Sequence, residues 1–228
     1  MASSEPVYVE VGRTRAFAGG IDWPGWCRSG RDEAAALATL VAFGPRYAAA
    51  VGTAGAGFEP PGDISGLEVV ERLEGNATTD FGAPGIAPAA DGAPVDANDL
   101  QRLFGLLRAG WAAFDAAALN YAGVELRKGP RGGGRDVPAM VDHVLNADAA
   151  YLRGVGGAFR PRDDLPPTEL AEALRGAMID ALDARARGEP PAPSRRRNPL
   201  WTPRYCVRRS AWHALDHAWE IEDRATTA

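Results

Sequence analysis

Apolar residues return at every third or fourth position through the second half of this chain, whereas the first half alternates short apolar runs with Gly and Pro. Four segments between residues 95 and 226 carry the helical repeat. The first places Leu100, Leu103, Phe104, Leu107, Trp111, Phe114 and Leu119 on one stripe. The second does so with Met140, Val141, Val144, Leu145, Tyr151 and Leu152, and the third with Leu170, Leu174, Met178, Ile179 and Leu182. Such spacing predicts amphipathic helices, each with one face to bury. Start signals agree, because a side-chain oxygen before the first turn can accept from its free N–H groups. Asp96 or Asn98 precedes the first helix, Asp136 with Pro138 the second, Thr168 the third, and Thr202-Pro203 a fourth that reaches about Arg224. Helices of this length bury their stripes against one another, and the expectation for 95–226 is an antiparallel four-helix bundle.

The first ninety residues follow another pattern. Val7 to Val11 and Ala16 to Ala18 predict short strands, and Asp22-Trp23-Pro24-Gly25 a turn. Ser29 precedes a helical run with Asp32 and Glu33 in its first turn and Ala34, Leu37, Leu40 and Val41 on its apolar face, ending or kinking at Gly44-Pro45. Leu67 to Leu73 predicts a further strand, and the Gly, Ala and Pro of residues 75–95 mark a boundary. The expected class is α+β, with a small α/β domain over 1–90 followed by the helical domain.

Charge and composition narrow the function. A net charge of -5 with pI near 5.3 argues against nucleic acid as the partner, since that binding is driven by clustered Lys and Arg. No apolar run reaches the length of a membrane span. Two cysteines far apart, Cys27 and Cys206, match no disulfide framework, and the expected compartment is the reducing cytoplasm. Gly129 to Arg135 lacks the strand and the Gly-Lys-Ser/Thr ending of a phosphate loop, and Arg195-Arg196-Arg197 lies in a Pro-rich linker; both read as solvated connections.

Candidate chemistry rests on the three histidines of the chain, His143, His213 and His217. His213 and His217 are four residues apart on the fourth helix and so share a face. With helices two and four running in the same direction, as an alternating antiparallel bundle requires, His143 in the early part of helix two meets them at similar height. Three neutral imidazoles suit Zn, Ni, Fe or Co and leave a coordination position open for water or substrate. Cys206, seven residues before His213, and Glu220, three after His217, read as packing or as groups behind the ligands rather than as ligands. Trp111, Trp212 and Trp219 are candidates to line a pocket, with core as the commoner role of large aromatics. Arg204, Arg208 and Arg209 are candidates to hold an anionic group, with a solvated helix face as the alternative.

Two resemblances add to this reading. Asp22-Trp23-Pro24-Gly25 followed by Gly30-Arg31-Asp32-Glu33-Ala34 resembles HicB-like domains, which implies a small α/β fold. The single His of helix two and the fourth-helix run from Arg204 to Glu220, with its His-x-x-x-His, resemble the DinB superfamily of metal-dependent thiol transferases and mycothiol-dependent maleylpyruvate isomerases. That resemblance implies a divalent metal on His143, His213 and His217 and chemistry on mycothiol or another low-molecular-weight thiol. The isomerases carry Glu where this chain has His213, which sides with the three-histidine members. The expectation is a metal-dependent thiol transferase or hydrolase-like enzyme acting on a small molecule, with a homodimer compatible with its helix faces. The alternative is a non-enzymatic binding or stress-regulatory protein stapled by a structural metal.

Overall fold

The structure, a computed structural model, describes residues 4–128, 134–161, 165–191 and 199–225. The glycines at 129–133 and the Arg195–Arg197 triplet lie outside the described residues. The fold is α+β: a four-stranded mixed sheet at the N-terminal end and, among the described residues, seven α-helices.

Strands β1 (Glu5–Val11) and β2 (Ala16–Gly20) form an antiparallel hairpin, and β3 (Cys27–Gly30) pairs antiparallel with β2. Strand β4 (Leu67–Glu74) lies parallel to β1 on the other edge. The parallel pairing requires a crossover, provided by α1 (Glu33–Ala42) and α2 (Gly44–Val51). These two helices are bent by 47° where Gly44-Pro45 interrupts the run, in line with the kink read from the sequence. Strand β2 is buried along its whole length, whereas β4 alternates half-buried and exposed residues as an edge strand should. A register shift between Val7 and Tyr8 leaves Val70 as the extra residue of β4, on the exposed side of the strand.

Two elements of this half differ from the sequence reading. Ser29, expected to precede the helix, lies inside β3, and the helix cap is Asp32, whose carboxylate accepts from the Ala35 N–H at 2.8 Å. Strand β3 reads as polar because only four residues form it and its neighbour α1 presses against it. A Cβ added at Gly30 would sit 2.3 Å from the backbone N of Ala36, so only glycine permits that approach. A short helix, α3 (Ala77–Phe81), also escaped the periodicity; an Asn76/Thr79 capping box defines it.

The long helices are α4 (Ala97–Asn120), α5 (Val137–Val155), α6 (Pro167–Ala186) and α7 (Pro203–Ala225). Asp96 caps α4 and Asp136 caps α5, while Thr202 accepts from the Tyr205 N–H at the start of α7. Helix α6 begins one residue before the expected Thr168, on prolines without a side-chain cap. Leu119, placed on the apolar stripe of α4, is exposed. Among the described residues no single helix is long and apolar enough to cross a membrane.

Helix α7 holds the molecule together. Tyr205 through Leu215 are buried without a break, so this helix is covered on all sides. Helix α4 runs in the same direction as α7: Asp99 pairs with Arg204, Gly110 abuts Ala211, and Arg224 donates to the Arg127 carbonyl at 2.6 Å. Helix α5 runs against it, because Cys206 meets the Tyr151 carbonyl, Ser210 meets Asp148, and His213 meets His143. The sequence reading had helices two and four parallel, and that direction is corrected here. On its remaining side α7 meets the sheet end. Gly25, at a φ of 96° that favours glycine, tightens the turn lying on Ala211 and Leu215. The apolar core is continuous from Val7, Trp26 and Leu40 through Leu103 and Leu107 to Val207 and Ile221.

Candidate metal centre

A helix that is buried all round is ordinarily apolar, but α7 brings Arg208, Arg209, Ser210, His213 and His217 into the interior. Each buried polar group must find a partner or remain a cost. The partners divide the helix into two environments.

Toward the sheet the charges are answered. Arg208 makes a two-pronged pair with the buried Asp91, both contacts at 2.8 Å, and its remaining N–H groups donate to the Gly20 and Ile21 carbonyls at 2.6 and 2.8 Å. Arg204 contacts the Ala93 and Pro94 carbonyls and pairs with Asp99. Nearby, the fully buried Glu10 accepts from Thr79 and from the Gly85 and Ile86 N–H groups. The arginines at the head of α7 are therefore neither a solvated face nor, for Arg204 and Arg208, an open anion site; they cross-link distant segments.

Toward α5 the three histidines come together. Nε2 of His213 lies 3.2 Å from Nε2 of His143, and the donor atoms of all three rings fall within 4.8 Å of one another. The ring planes of His213 and His217 are perpendicular, with centroids 4.6 Å apart, and His143 stands 5.0 Å from each. The opposed directions of α5 and α7 bring this about: His143 in the first half of α5 meets the middle of α7. Among the described residues no cysteine or carboxylate joins the cluster as a fourth donor.

The set fits a divalent ion on its own chemistry. Two nitrogens bonded to one ion in tetrahedral geometry stand roughly 3.3 Å apart, near the separation of the two Nε2 atoms. Burial, reinforced by the nearby charge of His217 and Arg135, pushes the His143 imidazole down to about 4. His213 is held well below the ordinary range, again by burial first and then by its histidine neighbours. At neutral pH both rings are therefore unprotonated, the state that coordinates a metal. His217 is oriented from behind: its Nδ1 lies 2.9 Å from Glu220, whose other oxygen accepts from Arg224 at 2.8 Å. That contact, which also lowers the Glu220 pKa, commits Nδ1 and leaves Nε2 to face the cluster.

The remaining candidates are placed as follows. Glu220 is behind His217, where the spacing put it. Cys206 is fully buried, its thiol donates to the Tyr151 carbonyl at 3.8 Å, and burial pushes its pKa up, so it is a packing residue. Trp111 does not line the histidine site; it borders an open cleft of about 450 Å³ between α4 and α6, beneath the Arg175 guanidinium. Trp212 borders His213 with ring centroids 6.0 Å apart, and Trp219 packs on Phe43. Arg209 sits one turn before His213 and donates to Pro84 and, at 3.4 Å, to the Tyr151 hydroxyl.

Tyr151 and Asp148 were not singled out as chemistry from the sequence. Asp148 is buried, accepts from Ser210 at 2.6 Å, and has a pKa pushed up to about 6 by burial, against the opposing effect of Ser210 and Arg175. The signal was available: position 148 falls four after Val144 and three before Tyr151, on the apolar stripe of α5, where a carboxylate is out of pattern. No protein-family profile matches the chain, and no curated protein or solved structure matches it either.

Proposed function

We propose that this chain is a metal-dependent enzyme of the DinB-like class, its four long helices forming the bundle of that class, with the first and last running in the same direction. His143, His213 and His217 hold a divalent ion, with Zn, Ni and Fe all compatible with an all-imidazole set. A bound ion supplies Lewis-acid chemistry, lowering the pKa of a thiol or water that takes the position left open. The carrying observation is that three histidines converge, without a fourth protein donor among the described residues, while His143 stays only half-buried. A structural site closes its coordination with protein ligands; this one leaves a side facing outward.

The protein's own groups do the rest. Glu220, itself held by Arg224, fixes the tautomer and orientation of His217. Tyr151 and Trp212 pack beside His213 and keep water from that flank. The expected reaction class is transfer to, or activation of, a low-molecular-weight thiol, with hydrolysis as the counterpart when water is the nucleophile.

Titrating the cobalt-loaded protein with a small thiol tests this. A sulfur-to-metal absorption band that saturates in the wild type and is lost in His213→Ala supports an open, thiol-accepting site. A loaded protein whose spectrum ignores thiols, and whose melting temperature collapses on chelation, would instead mark a structural staple.

A further inference from the structure

Arg209 is a buried cation with no acid to answer it among the described residues. Its Nη1 donates to the Pro84 carbonyl and its Nη2 to the Tyr151 hydroxyl at 3.4 Å, while Nε is buried without any partner. Its chain neighbour Arg208 has a carboxylate on two nitrogens, so the contrast is local to one turn of helix. A guanidinium taken out of water without a counter-charge is costly, and such a feature calls for an explanation in the ligand.

Two aromatic faces answer it in part, as cation–π contacts, without supplying a counter-charge. The guanidinium carbon stands 5.0 Å from the Trp212 ring and 5.5 Å from the Tyr151 ring, and Tyr151 meets His213 edge-on at 5.8 Å. Trp212 Nε1 and His213 Nδ1 are, like Arg209 Nε, buried and unpartnered. Glu220 is committed to His217 and Arg224, and Asp148 faces Ser210. Polar capacity beside the triad is thus in excess on the donor side. With Nη1 occupied by Pro84, what remains of Arg209 is its Nε–Nη2 edge, two roughly parallel N–H donors spaced to match the two oxygens of a carboxylate. Arg209, Tyr151, His213 and His217 are each buried, with 9%, 8%, 7% and 8% of their surface exposed, and stand in one cluster.

We propose that Arg209, with Tyr151, receives the carboxylate of a small organic acid whose other end lies at the histidine triad. The placement of that other end rests on the metal-site reading above; the demand for an anion at Arg209 does not. Binding of thioglycolate and of neutral mercaptoethanol, which differ in a carboxylate against a hydroxymethyl group, is followed by tryptophan fluorescence and calorimetry. Wild type, Arg209→Gln and Arg209→Lys are compared, each with a chelator and each metal-loaded. The wild type binds thioglycolate at least about tenfold more tightly than mercaptoethanol in both conditions, Arg209→Gln loses the preference while retaining its fold by circular dichroism, and Arg209→Lys keeps part of it. Equal affinities, no binding of either compound, or a preference unchanged in Arg209→Gln would overturn the proposal. A preference that survives the chelator with no gain from metal would leave the carboxylate site standing and refute the metal reading alone.

Discussion

The two faces of α7 bury charge to opposite ends. On the sheet side Arg208 meets Asp91 and two carbonyl oxygens, and Glu10 is wrapped by a hydroxyl and backbone N–H groups. On the α5 side His213 Nδ1 and, beside Tyr151, Arg209 Nε are buried without a partner. The charges on the first face are paired as in a structural cross-link, whereas the second carries a cation left open, as expected where a ligand completes the site. One helix thus anchors the sheet and presents the chemistry.

Substitutions of the two neighbouring arginines should separate the faces most sharply. Arg208→Met leaves Asp91 buried and unpaired and should lower the unfolding free energy by about 3–5 kcal/mol in urea denaturation, while Arg209→Met should change it by under about 1 kcal/mol. Similar losses at both positions would break the comparison. Asp148 comes next. Because burial raises its folded pKa to about 6, the folded state takes up a proton more readily than the unfolded chain. Its contribution is therefore intact below about pH 4 and is lost as pH rises to about 6. Asp148→Asn removes that loss, so it should be more stable than wild type by up to about 3 kcal/mol at pH 7 and no more stable at pH 4, read from melts across that range. A pH-independent difference would contradict the assignment. The smallest effect belongs to Glu220, which acts only through His217: Glu220→Gln should weaken metal binding by about 10- to 100-fold with little change in melting of the metal-free protein.

Much of the candidate site was legible because histidine is scarce here. Three residues with one i, i+4 pair on a helix narrow the possibilities before any coordinates, and Glu220 followed from its three-residue offset. What periodicity could not supply was the direction of α5 relative to α7. The same triad forms with opposed helices because His143 lies early in one and His217 past the middle of the other. Pairings between distant segments were also hidden: no local pattern announces that Arg208 finds Asp91, or that Glu10 collects N–H groups from 85 and 86. In the first half, β1, β2 and β4 showed as apolar runs, but β3 is four residues of Cys, Arg, Ser and Gly whose pairing depends on the close approach of α1. Helix α7 was visible by its cap, yet its burial on every side was not, since its polar residues read as a solvent face.

The most direct test of the central claim is metal content of the purified, untagged protein beside the triple variant His143→Ala, His213→Ala, His217→Ala. Near-stoichiometric divalent metal in the wild type and none in the variant is the result expected. Absence of metal in both after reconstitution with Zn, Ni and Fe would contradict it.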